Sequence, residues 1–152
     1  MSSYNFFPIF RVMKNVAYPF EVMEKLSLSI LDDADAQQWL VINGYTQLAD
    51  FSLAINEDEK AFRRLAHGND KELAAVVDAL NGKDEAKKWL LLNGFREHAA
   101  MCDAVEESKS AIIWLNNFGH PGWLLLAKAI NKKNKEDEKK DRWGFMRFLF
   151  PR

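Results

Sequence analysis

Apolar residues recur along this chain at two spacings. Within short segments they fall three or four apart, as in Ala36/Leu40 and Leu48/Phe51/Ile55, which is the period of one face of an α-helix. Across segments they recur every 25 residues. Ala36 is followed by Ala61, Ala86 and Ala111, and Leu40 by Leu65, Leu90 and Leu115. Ala54 leads to Ala79, Ala104 and Ala129, and Ile30 to Ile55, Leu80, Val105 and Ile130. A fifth column reads Leu26, Phe51, Val76, Met101, Leu126. The stretch AQQWLVINGY at 36–45 therefore returns as AKKWLLLNGF at 86–95.

Each unit predicts two short helices. The first carries Ala and Leu four apart, so both lie on one face. A breaker follows at a constant phase: Pro19, Gly44, Asn69 (with Gly68 beside it), Gly94, Gly119, Gly144. Gly and Asn accept the left-handed conformation that ends a helix, and Pro fits the first turn of the next. The Ala columns predict close backbone approach between stacked hairpins, with Leu, Ile and Val filling the space between layers. A single hairpin has too little core, and stacking makes the core continuous. The fold class expected is all-α, an α-solenoid of stacked helical hairpins with a period of 25 residues. About four good copies span 32–131, with a degenerate copy at each end.

The end copies lose the pattern. Arg11 and Asn15 stand where Ala and Leu belong, and the aromatic start (Tyr4, Phe6, Phe7, Phe10) is expected to cover the first layer. Glu136 and Lys140 break the pattern at the other end. Residues 132–142 are expected to be a solvated helix or linker, followed by an aromatic cap in which Phe145, Phe148 and Leu149 return to register. The organisation is thus one domain: 1–31 as N-terminal cap, 32–131 as core repeats, 132–152 as charged segment and C-terminal cap.

The segments RLAHGNDKELAAVVDAL (64–80) and WLNNFGHPGWLLLAKAI (114–130) resemble the helix pair of ankyrin repeats. The resemblance covers roughly 33–131. It departs from that family in lacking the Thr-Pro-Leu-His opening. It also leaves only about three residues between hairpins, too few for the long β-turn finger. The resemblance implies protein binding through a concave helical face, without a finger contribution.

Bulk properties exclude several classes. The 152 residues suit one ordinary domain. A formal net charge of -1 gives no overall pull toward nucleic acid or anionic lipid. The lone Cys102 permits no internal disulfide, which suits a reducing compartment. No secretory signal is read at the start, and no apolar run approaches the roughly 20 residues that span a bilayer. A cytoplasmic location follows as the expectation. No phosphate loop, dinucleotide fingerprint, nucleophile elbow or zinc signature occurs, so no catalytic residue, metal or cofactor is assigned.

The candidate binding residues come from a column beside the Ala/Leu face, whose rings either fill the groove between layers or face a partner, and from a set of cations that is either a binding patch or an ordinary solvated face. Trp39, Arg64, Trp89 and Trp114 share one column, an aromatic ladder interrupted by a cation that could lie between rings. Trp and Arg also dominate binding hot spots. Beside them Arg63 and Lys88, with Arg64 and Lys87, form a basic patch on the middle first helices. Two partner classes follow. The first is a protein segment lying along the stacked first helices. The alternative is nucleic acid held by Arg63, Arg64, Lys87 and Lys88, with Trp rings stacking on bases.

Other residues read as structural. The acidic joints (Asp32, Asp33, Asp35; Glu57, Asp58, Glu59; Asp84, Glu85; Glu106, Glu107) suit helix N-terminal capping. His98 shares its column with Leu48, Leu73 and Trp123, which predicts a core histidine with its hydrogen bonds satisfied. Cys102, in a column with Ser52, Val77 and Ala127, predicts a buried, inert thiol.

Overall fold

The computed structural model describes residues 18–150, and every regular element among them is an α-helix. The residues expected to form the N-terminal cover, Tyr4 to Asn15, lie outside that range. The helices are α1 (Phe20–Ile30), α2 (Ala34–Ile42), α3 (Thr46–Ile55), α4 (Glu59–His67), α5 (Lys71–Leu80), α6 (Asp84–Leu92), α7 (Arg96–Val105), α8 (Lys109–Phe118) and α9 (Pro121–Leu149). The even-numbered helices open at 34, 59, 84 and 109.

Helix ends follow local chemistry. The Asp33 side chain accepts from the Ala36 backbone N–H at 2.9 Å, and Asp58 from Ala61 at 3.0 Å. These acids satisfy otherwise orphaned amides at the positive end of the helix. Ser108 takes the same place on α8, whereas Lys83 offers α6 no side-chain cap. After α2 and α6 the chain turns through Gly44 and Gly94 at φ 86° and 84°. Tyr45 N–H then reaches back to Leu40 O, and Phe95 N–H to Leu90 O, each at 2.8 Å. That six-to-one bond with a left-handed glycine is the Schellman ending.

Three of the expected breakers behave differently: Gly119 ends α8 in extended geometry at φ -95°. Asn69 does not adopt positive φ; there the turn is made by Gly68 in extended geometry. Gly144 breaks nothing, because it sits inside α9, which runs 29 residues without interruption. Left-handed backbone instead appears where odd-numbered helices end, at Asp32, Glu57, Gly82 and Glu107. The sequence reading gave the acids among these a capping role only; Asp32, Glu57 and Glu107 also carry the reversal.

The odd-numbered helices form the interior. Leu26, Phe51, Val76, Met101 and Leu126 are each no more than 1% exposed. They share one interior space with Met23, Leu48, Leu73, His98 and Trp123 from one turn earlier on the same helices. Burying an aliphatic or aromatic side chain this fully is worth ~1.5–3 kcal/mol, so these positions dominate stability. The even-numbered helices lie outside, each burying its Leu (Leu40, Leu65, Leu90 or Leu115) against the inner layer.

The arrangement is closed. Each inner helix packs on the next, and α9 packs on α1. An open stack, as expected from the repeat pattern, would have left α1 and α9 as ends. The seam is tight: a Cβ at Gly122 would come within 2.6 Å of the Met23 Cβ and Cγ. Beside it Lys133 Nζ lies 2.9 Å from an Asp32 carboxylate oxygen. Five inner helices, α1, α3, α5, α7 and α9, complete the circle. The inner face is consequently a filled core. It offers no concave groove of the kind the ankyrin resemblance implied.

Beyond Asn134 the second half of α9 leaves this body. Trp143, Phe145, Phe148 and Leu149 are all exposed, so they do not fold over the last layer as a cap.

Candidate interaction surface

The Trp column falls on the outer helices, near their C-terminal ends. Trp39 on α2 is half-buried and stacks on Tyr45, with centroids 6.3 Å apart and planes 4° from parallel. Trp89 on α6 stacks on Phe95 at 5.8 Å and 14°. Trp114 on α8 is half-buried and leans on Phe118 at 6.1 Å. Each ring therefore spends contact on an aromatic residue of its own hairpin. For Trp39 and Trp89 the register follows from the Schellman turn, which returns the chain to the helix end that carries the Trp, whereas Trp114 and Phe118 lie four apart on α8 itself.

Arg64 does not lie between rings. Its guanidinium grips Asp50, with Nε and Nη2 at 3.0 and 2.7 Å from the two carboxylate oxygens. That hydrogen bond holds its pKa above the usual arginine value. The cation over the Trp39 face is Lys25, 5.8 Å from the centroid.

The other cations of the expected basic patch also have carboxylate partners. Arg63 meets Glu59 at 3.5 Å, Lys87 meets Asp103 at 2.8 Å, and Lys88 meets Glu85 at 3.4 Å. The Asp103 hydrogen bond raises the Lys87 pKa, outweighing a smaller opposing effect of burial. Exposed pairs of this kind contribute little to stability, but they cancel the local field.

The outer surface carries apolar side chains that the helix-face pattern does not explain. On α6, Trp89 is 38% exposed, Leu91 and Leu92 more so, and only Leu90 is fully buried. On α8, Ile112, Ile113 and Phe118 are exposed. Ile112 and Ile113 were legible in the sequence, since they replace Lys87 and Lys88 of the preceding copy. Leu91, Leu92 and Phe118 were not assigned a role. The available signal was the run Trp89-Leu90-Leu91-Leu92, four apolar residues in a row on a helix that buries only one side. The corresponding end of α4 carries Ala66 and His67 instead, and that of α2 exposes Val41 and Ile42, so among the outer helices α4 alone lacks the apolar end, and α6 and α8 carry most of the exposed apolar side chains.

His98 occupies the core as expected, at 3% exposure, but its hydrogen bonds are not satisfied: Nδ1 has no partner. Phe95 meets it edge-on at 5.3 Å and Trp123 at 4.5 Å. Burial pushes its pKa down to about 3. Next to it, Glu97 accepts from the Trp123 indole N–H at 2.5 Å and from the His120 backbone N–H at 3.0 Å, tying α7 to the start of α9. Cys102 is buried, and burial raises its thiol to about 12. Among the described residues no three His, Cys, Asp or Glu side chains converge as a metal site would require.

A hollow of about 1070 Å³ opens where α9 overhangs the joints after α3 and α5. Glu57, Asp58, Asp78 and Asp137 line it, and its Lys83 and Lys133 already bind Asp78 and Asp32. Compared with known families, characterised proteins and solved structures, the chain matches none.

Proposed function

We propose that the protein is a non-enzymatic interaction module, a closed ring of ankyrin-like helical hairpins repeating every 25 residues, with about four good copies. It binds a protein segment on its outer helices, centred on α6 and α8. The observation that carries this reading is the exposed apolar set Trp89, Leu91, Leu92, Ile112, Ile113 and Phe118. Exposed apolar side chains recurring on the outer helices of successive hairpins are costly unless something covers them, and Trp is a frequent hot-spot residue. A filled centre directs binding to the outside.

Of the residues in the Trp column, Trp89 is the anchor of this reading. Trp39 and Trp114 support the rim, and Arg64, Arg63 and Lys88 form a paired polar border. The carboxylate partners of Arg63, Arg64, Lys87 and Lys88 favour a protein partner over nucleic acid, because phosphates would have to displace them.

The test is affinity capture from lysate of the source organism with wild type and a W89A/L92S/I113S variant. A discrete protein retained by wild type and lost by the folded variant supports the reading. Equal capture by both moves the site off α6 and α8. Retained nucleic acid that elutes with salt would favour the alternative partner.

A further inference from the structure

We infer that the last turns of α9, from Lys139 on, are a docking element for an anionic lipid surface. This rests on a different part of the molecule from the outer-helix surface above. Residues 139–150 hold Lys139, Lys140, Arg142 and Arg147 against a single carboxylate, Asp141. That is a net of +3 for these last turns, set apart from the acidic Glu136, Asp137 and Glu138 just before them, in a chain whose formal net charge is -1. The same segment carries Trp143, Phe145, Met146, Phe148 and Leu149, all exposed, with Phe148 at 81%.

Helical geometry sorts these side chains. At about 100° per residue, Trp143, Met146, Leu149 and Phe145 fall on one side of α9, Lys140, Gly144 and Arg147 on the other, and Phe148 at the border beside Asp141. Lys139 and Arg142 enter the apolar side only at its ring-proximal end, where long stems can lift their charges toward headgroups. An amphipathic helix with Trp and Phe on one face and Lys and Arg on the other suits the headgroup boundary of a bilayer. No described helix is long and apolar enough to cross a membrane, so the contact is with the surface.

Charge decides between occupants. A second copy of this segment would set like charges together. An anionic lipid surface matches both the cations and the aromatic face. Each cation near such a surface strengthens binding roughly fivefold, so a net of three gives a preference on the order of 100-fold over neutral lipid.

The experiment is co-sedimentation of the full chain with vesicles of phosphatidylcholine alone and of phosphatidylcholine with 30% phosphatidylserine (~0.15 M salt). The expected result is binding to the phosphatidylserine vesicles, weak binding to the neutral ones, and release at high salt. A W143S/F145S/F148S variant and a K140Q/R142Q/R147Q variant, each with wild-type circular dichroism, should each lose at least tenfold. Absence of binding to phosphatidylserine vesicles overturns the inference, and so does equal binding to both vesicle types. A tail-dependent dimer in analytical ultracentrifugation without vesicle binding assigns the face to a second copy and also overturns it.

Discussion

Replacing His98 with leucine should remove an acid sensitivity built into the core. Folded His98 stays neutral down to a pKa of about 3, because charging it would bury an ion among Phe95, Trp123 and the interior aliphatics. In the unfolded chain the imidazole takes up a proton near pH 6.5. Between these two values the unfolded state holds the extra proton. Stability therefore rises with pH across that window and falls as acid is added. The loss is negligible above pH 7.5, begins near 6.5, and grows by about 1.4 kcal/mol per pH unit down to about 3. At pH 5 it amounts to roughly 2 kcal/mol. Leucine already fills the equivalent places at Leu48 and Leu73, so H98L fits the layer and removes the unpartnered Nδ1.

The assay is urea unfolding of wild type and H98L at pH 8 and pH 5, followed by circular dichroism. At a slope of about 2 kcal/mol per molar, wild type should lose about 1 M of midpoint more than H98L between the two pH values. His67, His120 and the carboxylates are common to both proteins and cancel in that difference. At pH 8 the variant should be at least as stable as wild type, since an unpaired buried polar atom costs about 1–3 kcal/mol. Parallel pH dependence in the two proteins would refute the reasoning and show that His98 is charged or solvated in the fold.

G122A should destabilise by about 1–3 kcal/mol, because the new methyl meets the Met23 Cβ and Cγ across the seam; thermal unfolding at pH 8 reads this, and a neutral result would mean α9 does not sit on α1 so closely. G82A should cost about 1 kcal/mol from backbone alone, since φ is 88° and nothing crowds the site, whereas E57G, at φ 70°, should be neutral to stabilising. Cys102 should resist iodoacetamide at pH 8 until the protein unfolds, its thiol being held near 12 by burial; rapid labelling of folded protein would contradict that placement.

The helices were legible because each hairpin satisfies local rules. Ala and Leu four apart set a buried face, Asp33 and Asp58 cap, and Gly44 and Gly94 end helices. The core columns were legible for the same reason, down to the layer containing Leu26 and Met101. Closure was not. Whether successive hairpins open into a stack or curl into a ring depends on small angles at each inner contact, and no single column encodes their sum. Gly122 was visible only as a glycine near Pro121; its meaning lies in Met23, far away in sequence. The continuation of α9 was hidden by Gly144, whose breaker phase was right and whose helical neighbours overrode it. The surface was partly legible. The Trp column stands out in the sequence, but the spacing that puts Arg64 among the rings does not show that Asp50 holds it, and Leu91 and Leu92 belong to no column that marks them as exposed.

Closure is the claim on which the placement of any binding surface on the outside depends. Native-state hydrogen exchange resolved by residue tests it directly. In a closed ring α1 and the first part of α9 are not ends, so their buried amides should exchange with the same protection as those of α5, in one cooperative unit. Protection that falls away progressively toward α1 and α9, as in an open array fraying from its termini, would contradict the ring.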